Sequence, residues 1–139
     1  MDRPQVSGNS ISIPPNLSFL TAVDDFVESF LERCGAEQSV IADIAISVSE
    51  LVNNAVAHGS RSAVNRPVVV SISRSDNVIT VTVSDPGAGF NPNNIDDPLS
   101  DENLLKETGR GIFIVRSLMD TVAVNVTPEG TTVTITKAI

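Results

Sequence analysis

Apolar residues recur along this chain with two distinct periods. They fall at Leu17, Leu20, Val23, Val27, Phe30 and Leu31, and again at Ile41, Ile44, Ala45, Val48, Val52 and Ala55. Spacing of three and four buries one stripe of a helix. Asn16 is placed to cap the first helix and Gly35 to end it. The second is expected to begin near Glu37 or Ser39 and to stop at Gly59, because glycine closes a helix cheaply at positive φ. A short turn between them predicts an antiparallel helix pair.

Elsewhere the period is two. Ser10 to Ile13 alternates weakly and reads as an edge strand ended by Pro14-Pro15. Val68 to Ser73 and Val78 to Ser84 are β-branched and alternate, joined by the turn residues Arg74-Ser75-Asp76-Asn77. Val122 to Val126 and Thr131 to Thr136 repeat the pattern about Thr127-Pro128-Glu129-Gly130. Between the hairpins lie Asp85-Pro86-Gly87-Ala88-Gly89-Phe90, a polar segment from Asn91 to Thr108, and a helical stretch from Ile112 to Met119. A loop that long in a compact domain is usually a functional lid or disordered. Met1 to Gly8 shows no pattern and reads as a loose end. Hairpins dominate, so the expected fold is an α+β two-layer sandwich. Its sheet is mixed but mostly antiparallel, with helices on one face.

Composition narrows the picture further. The 139 residues suit one domain spanning 1–139, with 41% hydrophobic and 19% charged residues, an ordinary globular balance. A net charge of −8 disfavours direct binding to nucleic acid, whose phosphates would be repelled. The longest apolar runs fall short of a membrane span and no signal peptide is evident, so no membrane role is expected. The single cysteine, Cys34, cannot form an internal disulfide, which suits a reducing cytoplasm; it reads as a buried, inert thiol.

Candidate chemistry gathers in three segments. On the second helix Glu50, Asn54 and His58 stand at i, i+4 and i+8, one above another beside the apolar stripe. Asp85 leaves a strand into Gly87 and Gly89. Gly109 and Gly111 precede a helix, where exposed backbone N–H groups favour a phosphate. Taken singly, each has an ordinary reading: a solvated helix face, a turn, loop punctuation.

In this order and separation, Ser49-Glu50-Leu51-Val52-Asn53-Asn54-Ala55-Val56-Ala57-His58-Gly59, Asp85-Pro86-Gly87-Ala88-Gly89-Phe90 and Gly109-Arg110-Gly111-Ile112 resemble the N, G1 and G2 boxes of the Bergerat-type ATPases. That superfamily includes gyrase-type ATPases and sensor histidine kinases. The wording of the first segment is most similar to the bacterial anti-sigma-factor serine kinases, and the likeness extends to Gly130-Thr131-Thr132.

The resemblance implies ATP and Mg²⁺ as cofactors. It puts the Asn54 amide oxygen on the metal, a hard ligand for a hard ion whose charge the triphosphate balances. Glu50 becomes the general base toward an attacking hydroxyl. Asp85 becomes the adenine reader, accepting from the exocyclic amino group and rejecting guanine's carbonyl. Gly87 and Gly89 let backbone approach the base and phosphates, and Ile112 joins Gly109 and Gly111 in the nucleotide-contacting set. Thr131 resembles the threonine that completes the adenine pocket, although a strand threonine needs no such role. Asn53 lies roughly 100° round the helix from Asn54 and has the lid, the nucleotide or nothing to bond. His58 either contacts ligand or donates to the last helix carbonyls.

One departure stands out. Kinases of this type often carry an arginine just before the second glycine box. Here Glu107-Thr108 precede Gly109, with Lys106 and Arg110 as the cations available to clamp the γ-phosphate. Residues 91–108 become an ATP lid, expected to be mobile without nucleotide. The implied function is to sequester a sigma factor and phosphorylate a serine of an anti-sigma-factor antagonist, a STAS-type domain, by a cytoplasmic homodimer. The alternative is an ATP-binding module that sequesters its partner without kinase activity. A histidine-kinase catalytic domain is disfavoured, since no histidine-bearing dimerisation helix precedes the ATPase-like portion.

Overall fold

The computed structural model describes residues 3–61, 67–85, 111–128 and 130–139, with residues 58–61 as backbone only. Six strands form one sheet: β1 (Gln5–Ser7), β2 (Ser10–Ile13), β3 (Val68–Ser75), β4 (Val78–Asp85), β5 (Thr121–Thr127) and β6 (Gly130–Ala138). Their order across the sheet is β1-β2-β3-β4-β6-β5. Two long helices, α1 (Leu20–Arg33) and α2 (Gln38–Arg61), and a shorter one, α3 (111–118), complete the described chain.

The alternation of the strands decides which side the helices cover. Ile11 pairs with Val70, Val70 with Val83, Ile72 with Val81, and Val81 with Ile135. All of these side chains are buried, together with Val23, Val27 and Leu31 of α1 and Ile44, Val48 and Val52 of α2. Each such aliphatic side chain contributes about 1.5–3 kcal/mol relative to exposure. The opposite row carries Ser71, Thr82, Ser84, Thr132 and Thr136; across strands, Ser10 bonds Ser71 at 2.7 Å, Ser84 bonds Thr132 at 3.3 Å and Thr121 bonds Thr136.

Local signals account for most boundaries. Asn16 accepts from the Ser18 N–H at 2.9 Å, capping a 3-10 turn (Leu17–Phe19) that leads into α1. Gly35, at φ 74, ends α1 in a Schellman arrangement: its N–H donates to Glu32 O and that of Ala36 to Leu31 O. Arg74 then donates to Cys34 O at 3.2 Å, pinning the β3–β4 hairpin under the end of α1.

Several expectations need correction. Met1 to Gly8 is not wholly loose: Gln5–Ser7 pairs with β2, so β2 is an inner strand and β1 the edge. The cause is the two-residue turn Gly8-Asn9, with Gly8 at φ 58, a hairpin signal present in the sequence. Every pairing among the described strands is antiparallel, so the sheet is not mixed. The α2 helix passes through Gly59 to Arg61; glycine permits a helix end but does not impose one, at a cost of about 1 kcal/mol inside a helix. Leu17 is 48% exposed, because it belongs to the 3-10 turn and not to the α1 stripe. Cys34 is half-buried, not buried, at the end of α1. Finally, Gln38–Ala57 is long and apolar enough to cross a membrane by length and mean hydropathy alone. It is instead the central core helix, packed on α1, β3, β4 and β6. The proposed lid, 91–108, lies outside the described residues.

Candidate functional site

The polar face of α2 comes to lie against the start of α3. A Cβ built on Gly111 would stand 3.2 Å from Asn54 Nδ2 and 3.3 Å from Glu50 Oε2. Gly111 is buried, while Glu50 and Asn54 are half-buried. Any side chain at 111 would therefore press on both groups at once. Glycine gives the closest approach here without displacing either group, a second reason beyond the exposed N–H groups that its position before a helix suggested.

Asp85 occupies the last position of β4 on the helix-covered side of the sheet and is 7% exposed. Its register partner is Thr131 of β6. A buried carboxylate and a threonine hydroxyl opposite each other at a sheet end provide a hydrogen-bonding edge in an otherwise apolar layer.

The direction of the elements relates these two features. Lys137, near the end of β6, makes an ion pair of 3.4 Å with Asp43 near the start of α2 and donates to Leu118 O of α3 at 2.6 Å. From that tie β6 leads back to Thr131, α2 leads on to Glu50 and Asn54, and α3 leads back to Gly111. Strand alternation puts Lys137, Ile135 and Thr131 on the same side of β6.

A further polar link crosses between the long helices. Ser49 Oγ donates to Asp24 Oδ1 at 3.1 Å. Burial raises the pKa of Asp24 above its usual 3.8, the Ser49 hydrogen bond lowers it in part, and the charge of Asp25 adds to the rise. Sequence reasoning missed this pair. It missed Lys137 too, although a lone cation on the inward row of an alternating strand is a visible signal.

Of the remaining candidates, Asn53 and Ile112 are half-buried, Ile112 against the core. The His58 side chain and Gly87, Gly89, Lys106, Gly109 and Arg110 fall outside what is described. Among the described residues no group of three or more His, Cys, Asp and Glu converges as a metal cage. One amide oxygen beside one carboxylate suits an ion such as Mg²⁺, which keeps waters and takes further ligands from phosphates.

A two-layer sandwich with a carboxylate-amide helix face packed on a glycine helix start is the architecture of a nucleotide-binding ATPase domain. Residues 13–137 match the family model of the histidine kinase-like ATPase domain, and the chain belongs to that family. It is 31% identical over 134 residues to the serine-protein kinase RsbW of Staphylococcus aureus, covering 91% of this chain and 84% of that one. It is 32% identical over 114 residues to the anti-sigma F factor of Bacillus subtilis, covering 80% and 78% respectively. Among solved structures, the RsbU and RsbW domains of a Mycobacterium tuberculosis protein superpose with a TM-score of 0.69 at 24% identity. That match covers 93% of this chain but 31% of the other, and it bears on fold alone. The fold and family expected from the sequence are thus borne out.

Proposed function

We propose that this chain is an anti-sigma factor and an ATP-dependent protein serine kinase. It sequesters a sigma factor and transfers the ATP γ-phosphate to a serine of an anti-sigma-factor antagonist with a STAS-type domain. The observation that supports this reading is the close approach of the α3 start at Gly111 to the Glu50 carboxylate and the Asn54 amide. The names of the two relatives support the partner classes.

In this reading Asp85 accepts from the adenine amino group, with Thr131 beside it. Asn54 would hold Mg²⁺, which when bound supplies charge neutralisation on the triphosphate. Glu50 takes the proton of the antagonist serine as its Oγ attacks the γ-phosphorus, and the bond to the β-phosphate oxygen breaks to leave ADP. Asn53, His58, Gly87, Gly89, Gly109, Gly111 and Ile112 line the nucleotide, and Lys106 or Arg110 clamps the γ-phosphate. The new dianion on the antagonist then breaks its docking. A cytoplasmic homodimer fits this role.

A second reading, partner sequestration with ATP bound but no transfer, draws on Glu107-Thr108 standing where related kinases often place an arginine. Incubation with γ-labelled ATP and the antagonist separates the two. Label on the antagonist, reduced by about 10²–10⁴-fold in Glu50→Gln, supports the kinase. ATP binding with no label in the wild type supports the module.

A further inference from the structure

Lys137 is a cation on the inward side of β6, in register with Ile79 and two residues from the fully buried Ile135. Its side chain is 17% exposed, and it bridges two helices: Leu118 O of α3 at 2.6 Å and Asp43 of α2 at 3.4 Å. An ammonium on the last-turn carbonyls of a helix is favoured by the helix dipole. Two more bonds hold the same end of α3 to β6, from Asp120 N–H to Thr136 O at 2.9 Å and from Ala138 N–H to Asp120 Oδ2 at 2.7 Å.

The spacing gives this anchor its meaning. Asp43 to Glu50 and Gly111 to Leu118 are each seven residues, two helical turns and roughly 10 Å. The two helices therefore run antiparallel over equal spans, tied at one end by Lys137 and touching at the other through Gly111. At the Gly111 end the fit is close: a Cβ would come to 3.2 Å of Asn54. Sliding α3 by a single residue moves it about 1.5 Å, which carries Gly111 along the helix away from its place beside Glu50 and Asn54. The β6 bonds hold α3 to the sheet, Val115 and Met119 pack it into the shared core, and Lys137 adds a polar tie from its end to α2.

We infer that Lys137 is a positioning residue of the nucleotide site, holding α3 in register with α2 so that Gly111 stays against Glu50 and Asn54. The inference rests on the ATP-site reading above. It concerns the phosphate half of the site alone, since Asp85 and Thr131 are held by backbone strand pairing in which the Lys137 side chain takes no part.

The test compares Mg-ATP with adenosine by calorimetry on the full chain. In Lys137→Met, which keeps the apolar stem, ATP affinity falls about tenfold while adenosine affinity stays within about twofold. Asp43→Asn moves the ratio in the same direction, by about threefold. An unchanged ratio of ATP to adenosine affinity in the folded variants, or an equal loss of both, overturns the inference. If Lys137→Met fails to fold, Asp43→Asn decides by the same ratio. A wild-type chain that binds no ATP overturns the site reading itself, a result distinguishable from a binder insensitive to Lys137.

Discussion

Asp85 and Thr131 are register partners across β4 and β6, at the sheet end where the strands leave the core. Asp85 is nearly buried there, on the same side as Val83 and Val81. A carboxylate so placed can only accept hydrogen bonds when ionised. We expect Asp85→Asn to weaken ATP by at least about tenfold and to narrow its preference over GTP. Thr131→Val should cost less, within about 1 kcal/mol, since the strand pairing survives. Competition binding with ATP and GTP reads both effects.

Gly111→Ala places a methyl group against Asn54 and Glu50, at the 3.2 and 3.3 Å approaches described. The helix itself gains from alanine, by about 1 kcal/mol at an ordinary interior position. Stability and function should therefore part company. The melting temperature should change little, while phosphoryl transfer falls by about 10²-fold from displacement of the base. Equal activity in the variant would mean that the Glu50 position is not critical.

Nucleotide binding should depend on the divalent ion through Asn54. At a hundred times Kd, Mg-ATP should stabilise the fold by about 2.7 kcal/mol, seen as a rise in melting temperature. Chelation with EDTA should shrink that rise, and Asn54→Ala should remove most of its Mg²⁺ dependence. Adenosine binding should respond to neither treatment. A metal-independent shift in the wild type would remove Asn54 from the proposed role.

Asp24 gives a pH dependence whose sign is opposite to that of a salt-bridged aspartate. Its folded-state pKa is raised by burial, so the folded state binds the proton more tightly than the unfolded one. That stabilisation is complete below the unfolded value of about 3.8 and is lost as pH rises through the folded value. Asp24→Asn keeps an acceptor for Ser49 and removes the charge. It should match the wild type below about pH 4 and melt higher than it near neutrality. Melts between acid and neutral pH check this, and a variant that is less stable at neutral pH would sink the argument.

The strands and helices were legible in the sequence because their signals are local. β-branched alternation marked Val68 to Ser84, and three-and-four spacing marked Ile41 to Ala55. Asn16 and Gly35 act within a few residues of themselves. The wording from Ser49 to Gly59 also carried the family, since a carboxylate and an amide one turn apart are set by helix geometry alone. Even β1 had its signal in Gly8-Asn9.

Tertiary structure decided what depends on chain segments meeting. The β6 strand inserts between β4 and β5, which puts Thr131 opposite Asp85 and makes every described pairing antiparallel. No local pattern specifies which strand edge accepts a hairpin; that follows from the burial available to the whole apolar layer. The tight fit at Gly111 appears only once α3 lies on α2, the partners of Lys137 only once strand and helices have packed, and that of Asp24 only once α1 lies on α2. Periodicity tells a residue which way to face, whereas the three-dimensional arrangement tells it what it faces.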